Sequence, residues 1–250
     1  MFKRFLYFFF IALALVGCTH PSPQGEIESP QLRTEKPRII GAMRNVMWKG
    51  ELFARIKLDT LSNWENLYAL GPIEGLKGEF AVYNGRGYRS SVVDGRVVVT
   101  ETREIEAPFT GYGYVRDWQS VPLPDSVKTT AALDAWLDAH VEPNGEPFFF
   151  AIDALIENAV YHVMDLPDGT VVDSPDVAHE LGRKFFDFSG RADLLGFFGR
   201  NYKGIFTHHD TFTHIHLLAA DRSVLGHLDT LLLSNEGHSI RLPSDIALMK

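Results

Sequence analysis

The amino-acid sequence predicts an α+β fold dominated by strands. Three observations carry this: short apolar runs punctuated by Asn84-Gly85 and Asp94-Gly95, two separate helix signatures, and a late pair of strand-like segments rich in histidine around Asp221-Arg222. With 45% hydrophobic and 22% charged residues in 250, the chain can bury a core without covalent staples.

At the start, Lys3 and Arg4 precede an unbroken apolar run from Phe5 to Val16, closed by Gly17 and the only cysteine, Cys18. Such a run is too short to cross a bilayer core of about 30 Å, which needs roughly 20 helical residues, so residues 1–17 read as an export signal. Leu15-Val16-Gly17-Cys18 resembles the bacterial lipoprotein cleavage box, which makes Cys18 the lipidation site and a membrane lipid anchor the expectation. A lone cysteine excludes a disulfide within the chain. Thr19 stands where the aspartate of an inner-membrane retention signal would be, so the expected place is the outer membrane, facing the periplasm. Without residues 1–17 the chain keeps 22 basic against 32 acidic side chains, net −10. That balance argues against nucleic acid as a partner, because a phosphate backbone is bound by a basic surface.

Residues 18–40 are mostly polar and proline-bearing, as in a flexible tether. In residues 41–142, an N-terminal sheet unit, Phe80–Tyr83, Tyr88–Val93 and Arg96–Thr102 read as strands of an antiparallel meander, turning at Asn84-Gly85 and Asp94-Gly95. From Thr129 to Val141, apolar Ala132, Leu133, Trp136, Leu137 and Val141 recur at helical spacing. Pro143-Asn144-Gly145 marks the boundary to a C-terminal sheet unit, residues 143–250. There, Ser174 is a good N-cap with Pro175 at the first helical position, so a second helix begins.

The chemistry lies in the last segment. Thr213–Ala219 and Leu225–Ser234 read as two strands around Asp221-Arg222. If those two residues form the loop, His216 falls opposite His227 with their side chains on one face. His214, two residues earlier, points the same way roughly 7 Å along the strand. Cross-strand Cβ atoms stand about 4.5–5.5 Å apart, close enough for imidazoles to converge on one ion. Three protein ligands with one position left open is the catalytic pattern for zinc, although imidazole also suits copper, iron and nickel. His208 and His209 are adjacent, face opposite sides in a strand, and read as loop residues or as supports outside the ligand set.

The run His214-Ile215-His216-Leu217, Ala220-Asp221-Arg222 and Gly226-His227 resembles the zinc-binding signature of the alpha-acetolactate decarboxylases. A second block, Gly71-Pro72-Ile73-Glu74-Gly75-Leu76-Lys77-Gly78-Glu79-Phe80, is similar to that family too and lies in the right order; Asn84-Gly85, Tyr88, Asp94-Gly95 and Pro108-Phe109 continue it. The resemblance covers about residues 50–235 and implies an N-terminal mixed sheet and a C-terminal barrel-like sheet, with zinc held in the cleft between them by His214, His216 and His227. It implies Glu79 as the catalytic carboxyl group and a homodimer. The implied reaction converts a small 2-hydroxy-3-oxo acid, 2-acetolactate, to acetoin and carbon dioxide. Three positions depart from the family pattern: Pro72 replaces a threonine, no arginine stands near Met164 and Asp165, and the family's late glutamate would fall beyond Lys250. The alternatives are a catalytically impaired metal- or ligand-binding module and a different zinc lyase or hydrolase on the same histidines.

Overall fold

The computed structural model describes residues 36–142 and 145–249; the export signal, Cys18, most of the tether and Pro143-Asn144 lie outside the described residues. In chain order the elements are β1 (Arg38–Ile40), α1 (Met43–Lys49), β2 (Ile56–Lys57), β3 (Leu67–Pro72), β4 (Glu79–Tyr83), β5 (Arg86–Val93) and β6 (Arg96–Glu101). Next come β7 (Glu106–Ala107), β8 (Thr110–Tyr114), β9 (Trp118–Pro122), α2 (Thr130–His140), β10 (Phe148–Met164) and α3 (Pro175–Gly182). The last are β11 (Arg183–Phe198), β12 (Thr213–Ala219), β13 (Leu225–Leu233) and β14 (Ser239–Pro243).

The meander β4–β5–β6 forms where the turn dipeptides place it. Asn84, Gly85, Asp94 and Gly95 all have positive φ, the conformation that a two-residue hairpin turn with the right twist demands. Both helix starts are capped as the sequence implies: Thr129 accepts from the Ala132 N–H, and Ser174 from the Val177 N–H ahead of Pro175.

The first sheet runs β1-β8-β3-β4-β5-β6. The resemblance implied a mixed sheet, but every pairing here is antiparallel: β3 to β6 follow one another through short turns, and β8 runs back between β1 and β3, so those two strands, joined through α1, do not pair with each other. The second sheet runs β11-β12-β13-β10-β14-β9, and β10 also pairs with β11 over most of its length. Strands β10, β11, β12 and β13 thus pair round in a ring, while β14 and β9 continue outward from it. The sheet is barrel-like without being a complete barrel.

This second sheet is apolar on both faces. Phe148, Phe150 and Ile152 of β10, with Ile215 and Leu217 of β12, pack with Leu133, Trp136 and Leu137 of α2. Phe149 of β10 and Leu195, Phe197, Leu218 and Leu225 from its neighbours face the other way, against Tyr68, Leu70 and Ala81 of the first sheet. Strand side chains alternate, so His214, His216 and His227 share the side of Leu218 and Leu225 and point between the sheets.

Candidate metal centre

The hairpin carrying the histidines has the register that a two-residue loop dictates. His216 pairs with His227, Leu217 with Gly226 and Leu218 with Leu225. Arg222 takes a positive φ, the Arg222 N–H donates to the Ala219 carbonyl, and Asp221 accepts from the Ser223 N–H and hydroxyl. One ligand atom from each of His214, His216 and His227 lies within 4.8 Å of the others, and all three residues are buried.

Their tautomers are set by backbone. His214 Nδ1–H donates to the Phe206 carbonyl at 2.8 Å, and His216 Nδ1–H to the Phe80 carbonyl at 2.9 Å. Each ring therefore turns an unprotonated Nε2 toward the other, at 3.2 Å. Two lone pairs at that distance repel unless a cation lies between them. Two nitrogens bound at about 2.0–2.1 Å to one tetrahedral ion are roughly 3.3 Å apart, so the spacing and donor chemistry fit zinc. Burial holds all three histidines below their ordinary pKa, His216 at about 3, which keeps them neutral and ready to ligate.

Glu79 comes from the other sheet, at the start of β4, 3.6 Å from His216 Nε2. Gly78 sets its approach: φ is 147°, and a Cβ there would lie 2.0 Å from the Ser90 carbonyl oxygen. Glu79 is 2% exposed, and burial raises its pKa well above the ordinary value, reinforced by Asp229 and opposed by the Met164 N–H and by Arg183. Burial thus favours the protonated form of the Glu79 carboxyl group and the neutral form of the imidazoles.

Between the two sheets lies a small cavity of about 30 Å³, bordered by Glu79, His214 and His227. Met43, Met47, Pro72, Leu76, Phe109 and Met164 form its apolar wall. His208 lies in a loop, lines the cavity and sets its ring 5.3 Å from that of His227, whereas His209 is exposed.

Three cavity residues escape a reading by motif. Arg183 pairs directly with Met164 across the β10–β11 ribbon, so a guanidinium enters from the opposite strand just where the segment around Met164 has none. One of its amino groups donates to His179 Nε2 at 3.0 Å; its Nε is buried and has no hydrogen-bond partner among the described residues. Burial and the neighbouring Arg183 depress His179 to about 4, so it accepts. The third is His162, on β10 beside His227. The strand register reveals Arg183 and His162, and residues 165–182 hide it by inserting between β10 and β11 the helix α3, which carries His179.

No protein-family profile matches this chain, and no curated protein does. Solved structures do. An acetolactate decarboxylase from Bacillus subtilis subspecies spizizenii superposes with a TM-score of 0.66 over 86% of each chain at 17% identity. The alpha-acetolactate decarboxylase of Bacillus subtilis strain 168 gives 0.64 over the same shares at 16%. A Staphylococcus aureus protein of unknown function, similar to alpha-acetolactate decarboxylase, gives 0.67, again over 86% of each chain, at 15%. Two facing sheets, a ring of four long strands and a three-histidine hairpin opening between them thus occur in a chain that has the fold of the acetolactate decarboxylases.

Proposed function

We propose that this protein is a zinc-dependent carbon–carbon lyase of the acetolactate decarboxylase type, converting 2-acetolactate to acetoin and carbon dioxide. The observation that carries the reading is the pair of Nε2 lone pairs held 3.2 Å apart, with the buried Glu79 carboxyl group 3.6 Å from His216 Nε2, in a cavity of this fold. A divalent ion on His214, His216 and His227 would supply Lewis-acid polarisation of the substrate's hydroxyl and ketone oxygens.

The chain's own groups account for the rest. Arg183 offers the substrate carboxylate a fixed cation and an unpartnered donor, the role for which a guanidinium is best suited. As the bond to the carboxylate breaks, its electron pair runs into the adjacent ketone. The carbon that lost carbon dioxide then needs a proton, which the Glu79 carboxyl group holds ready as general acid. Apolar Met47, Leu76 and Phe109 keep bulk water away, so these charges act at low dielectric.

The test is acetoin formation from racemic acetolactate by the zinc-loaded protein, with metal content recorded. The parent makes acetoin; His216→Ala loses both zinc and activity; Glu79→Gln keeps zinc and loses activity by about 10²–10⁴-fold. Bound zinc without acetoin in the parent would instead favour a ligand-binding module or another zinc chemistry. The sequence supports two further parts of the reading, an exported protein anchored through lipid on Cys18 at the periplasmic face of the outer membrane, and a homodimer. Metabolic labelling with palmitate and sedimentation of the protein check them. Among the described residues no helix is long and apolar enough to cross a membrane.

A further inference from the structure

Four cross-strand positions form one row: Phe185 of β11 pairs with His162 of β10, His162 with His227 of β13, and His227 with His216 of β12. Directly paired residues share a face, so His162 continues the line of ligand histidines by one strand, about 4.7–4.9 Å further on. Its ring lies 4.7 Å from that of His227, and it borders the cavity, yet it falls outside the group whose ligand atoms converge.

His162 Nδ1–H is held by both carboxylate oxygens of Asp229, at 2.9 and 2.8 Å. That places the ring hydrogen on Nδ1 and leaves Nε2 a bare acceptor, without a hydrogen-bond partner among the described residues. On the same face of the ribbon, Met164 is two residues along β10 and Arg183 is its cross-strand partner. The cavity therefore sets a fixed acceptor diagonally from a fixed donor.

We propose that the His162–Asp229 pair is a specificity device, in which His162 Nε2 accepts a hydrogen bond from the 2-hydroxyl group of a bound 2-hydroxy acid. The assignment rests on reading the cavity as a site for such an acid. A pocket built to bond a hydroxyl group rejects the analogue lacking it, since the acceptor is then left buried and unpaired.

The experiment compares 2-hydroxy-2-methylpropanoate with 2,2-dimethylpropanoate, which exchanges hydroxyl for methyl, by titration calorimetry on the zinc-loaded protein. The parent prefers the hydroxy acid; His162→Phe reduces the ratio of the two affinities about tenfold with zinc content unchanged, and His162→Gln, which keeps an acceptor, retains most of it. A ratio unmoved in His162→Phe overturns the proposal, as does loss of zinc with the ring, which would make His162 a ligand. Nitrogen-15 histidine spectra of the parent need no variant. The His162 Nε2 resonance should sit in the unprotonated range and move upfield on adding the hydroxy acid, and a resonance that stays put counts against the assignment. Acetoin assays on the same preparations separate the two readings: acetoin with an unmoved ratio removes the role of His162 alone, and a falling ratio without acetoin removes the decarboxylase reading alone.

Discussion

Glu79 and the histidines around it titrate away from their ordinary ranges in opposite directions, and the metal-free protein should show both effects. The histidines have folded pKa values below the unfolded value of 6.5, so above that pH neither state binds their protons. As pH falls below 6.5 the unfolded chain takes up protons that the fold refuses, and stability is lost progressively, down to about 3 for His216. Glu79 behaves inversely: the fold retains its proton where the unfolded chain has released it, so stability falls as pH rises above 4.5. The urea midpoint of metal-free protein should therefore drop between pH 6.5 and 4, and His214→Gln should flatten that slope. Arg183 sets a second expectation. Charge-assisted hydrogen bonds contribute about 1.5–3 kcal/mol, so Arg183→Ala should lower kcat/KM for acetolactate by roughly 10–100-fold, mainly through KM, with zinc content intact. An unchanged KM would remove Arg183 from carboxylate binding. The convergence of His214, His216 and His227 was legible in the sequence because their spacing across one hairpin is local, and Glu79 stood out through its local motif. Arg183 and His162 were not, because they reach the cavity through a long-range register between β10 and β11.

At the level of elements, what could be read in advance was what short-range physics decides. Asn84-Gly85 and Asp94-Gly95 admit positive φ cheaply, Thr129 and Ser174 supply capping oxygens, and the Asp221-Arg222 loop fixes which strand faces meet. The long strands β10 and β11 could not be read in this way. Towards both ends of β10 and at the end of β11 both faces are buried and the apolar/polar alternation disappears, and β10 in addition shifts register between Ile156 and Ala159. Helix α1 has only seven residues and an Ala42 cap with no side-chain hydrogen bond, so it leaves little signature. Gly226 shows how tightly these elements are seated. A Cβ there would fall 2.3 Å from the Tyr161 ring and 2.6 Å from the His162 carbonyl oxygen, so Gly226→Ala must push β13 off β10. Overpacking of this kind costs about 1–3 kcal/mol. Urea denaturation should show that loss, and competition with a zinc chelator should show weaker binding, because His227 is the next residue.

At the scale of the molecule, the described residues are held by apolar burial between the two sheets, with the three-histidine group inside that contact. The described residues form one compact unit, and the cluster joining Tyr68, Leu70 and Ala81 to Phe149, Leu195 and Phe197 crosses from sheet to sheet. Each fully buried Leu or Phe contributes roughly 1.5–3 kcal/mol, whereas an exposed ion pair such as Arg86–Glu101 is screened by water and salt. Since zinc requires the native arrangement of three buried ligands, it should stabilise the entire unit: zinc at 100 times its Kd contributes about 2.7 kcal/mol. Calorimetry should show a single transition whose Tm rises with zinc and returns on chelation, and a Tm indifferent to zinc would argue against a buried ligand set.

The His216 imidazole takes its tautomer from the Phe80 carbonyl, which belongs to the opposite sheet. A ligand on one sheet is thus made ready by backbone from the other, next to the carboxyl group that the same strand contributes. Before the sheets dock, the hairpin can bring its histidines together but cannot fix which nitrogen of His216 faces the ion. If zinc is the proposed ion, docking should therefore precede its capture, and the rate of zinc uptake by a refolding chain should match the rate at which the two sheets close; uptake ahead of docking would contradict this order.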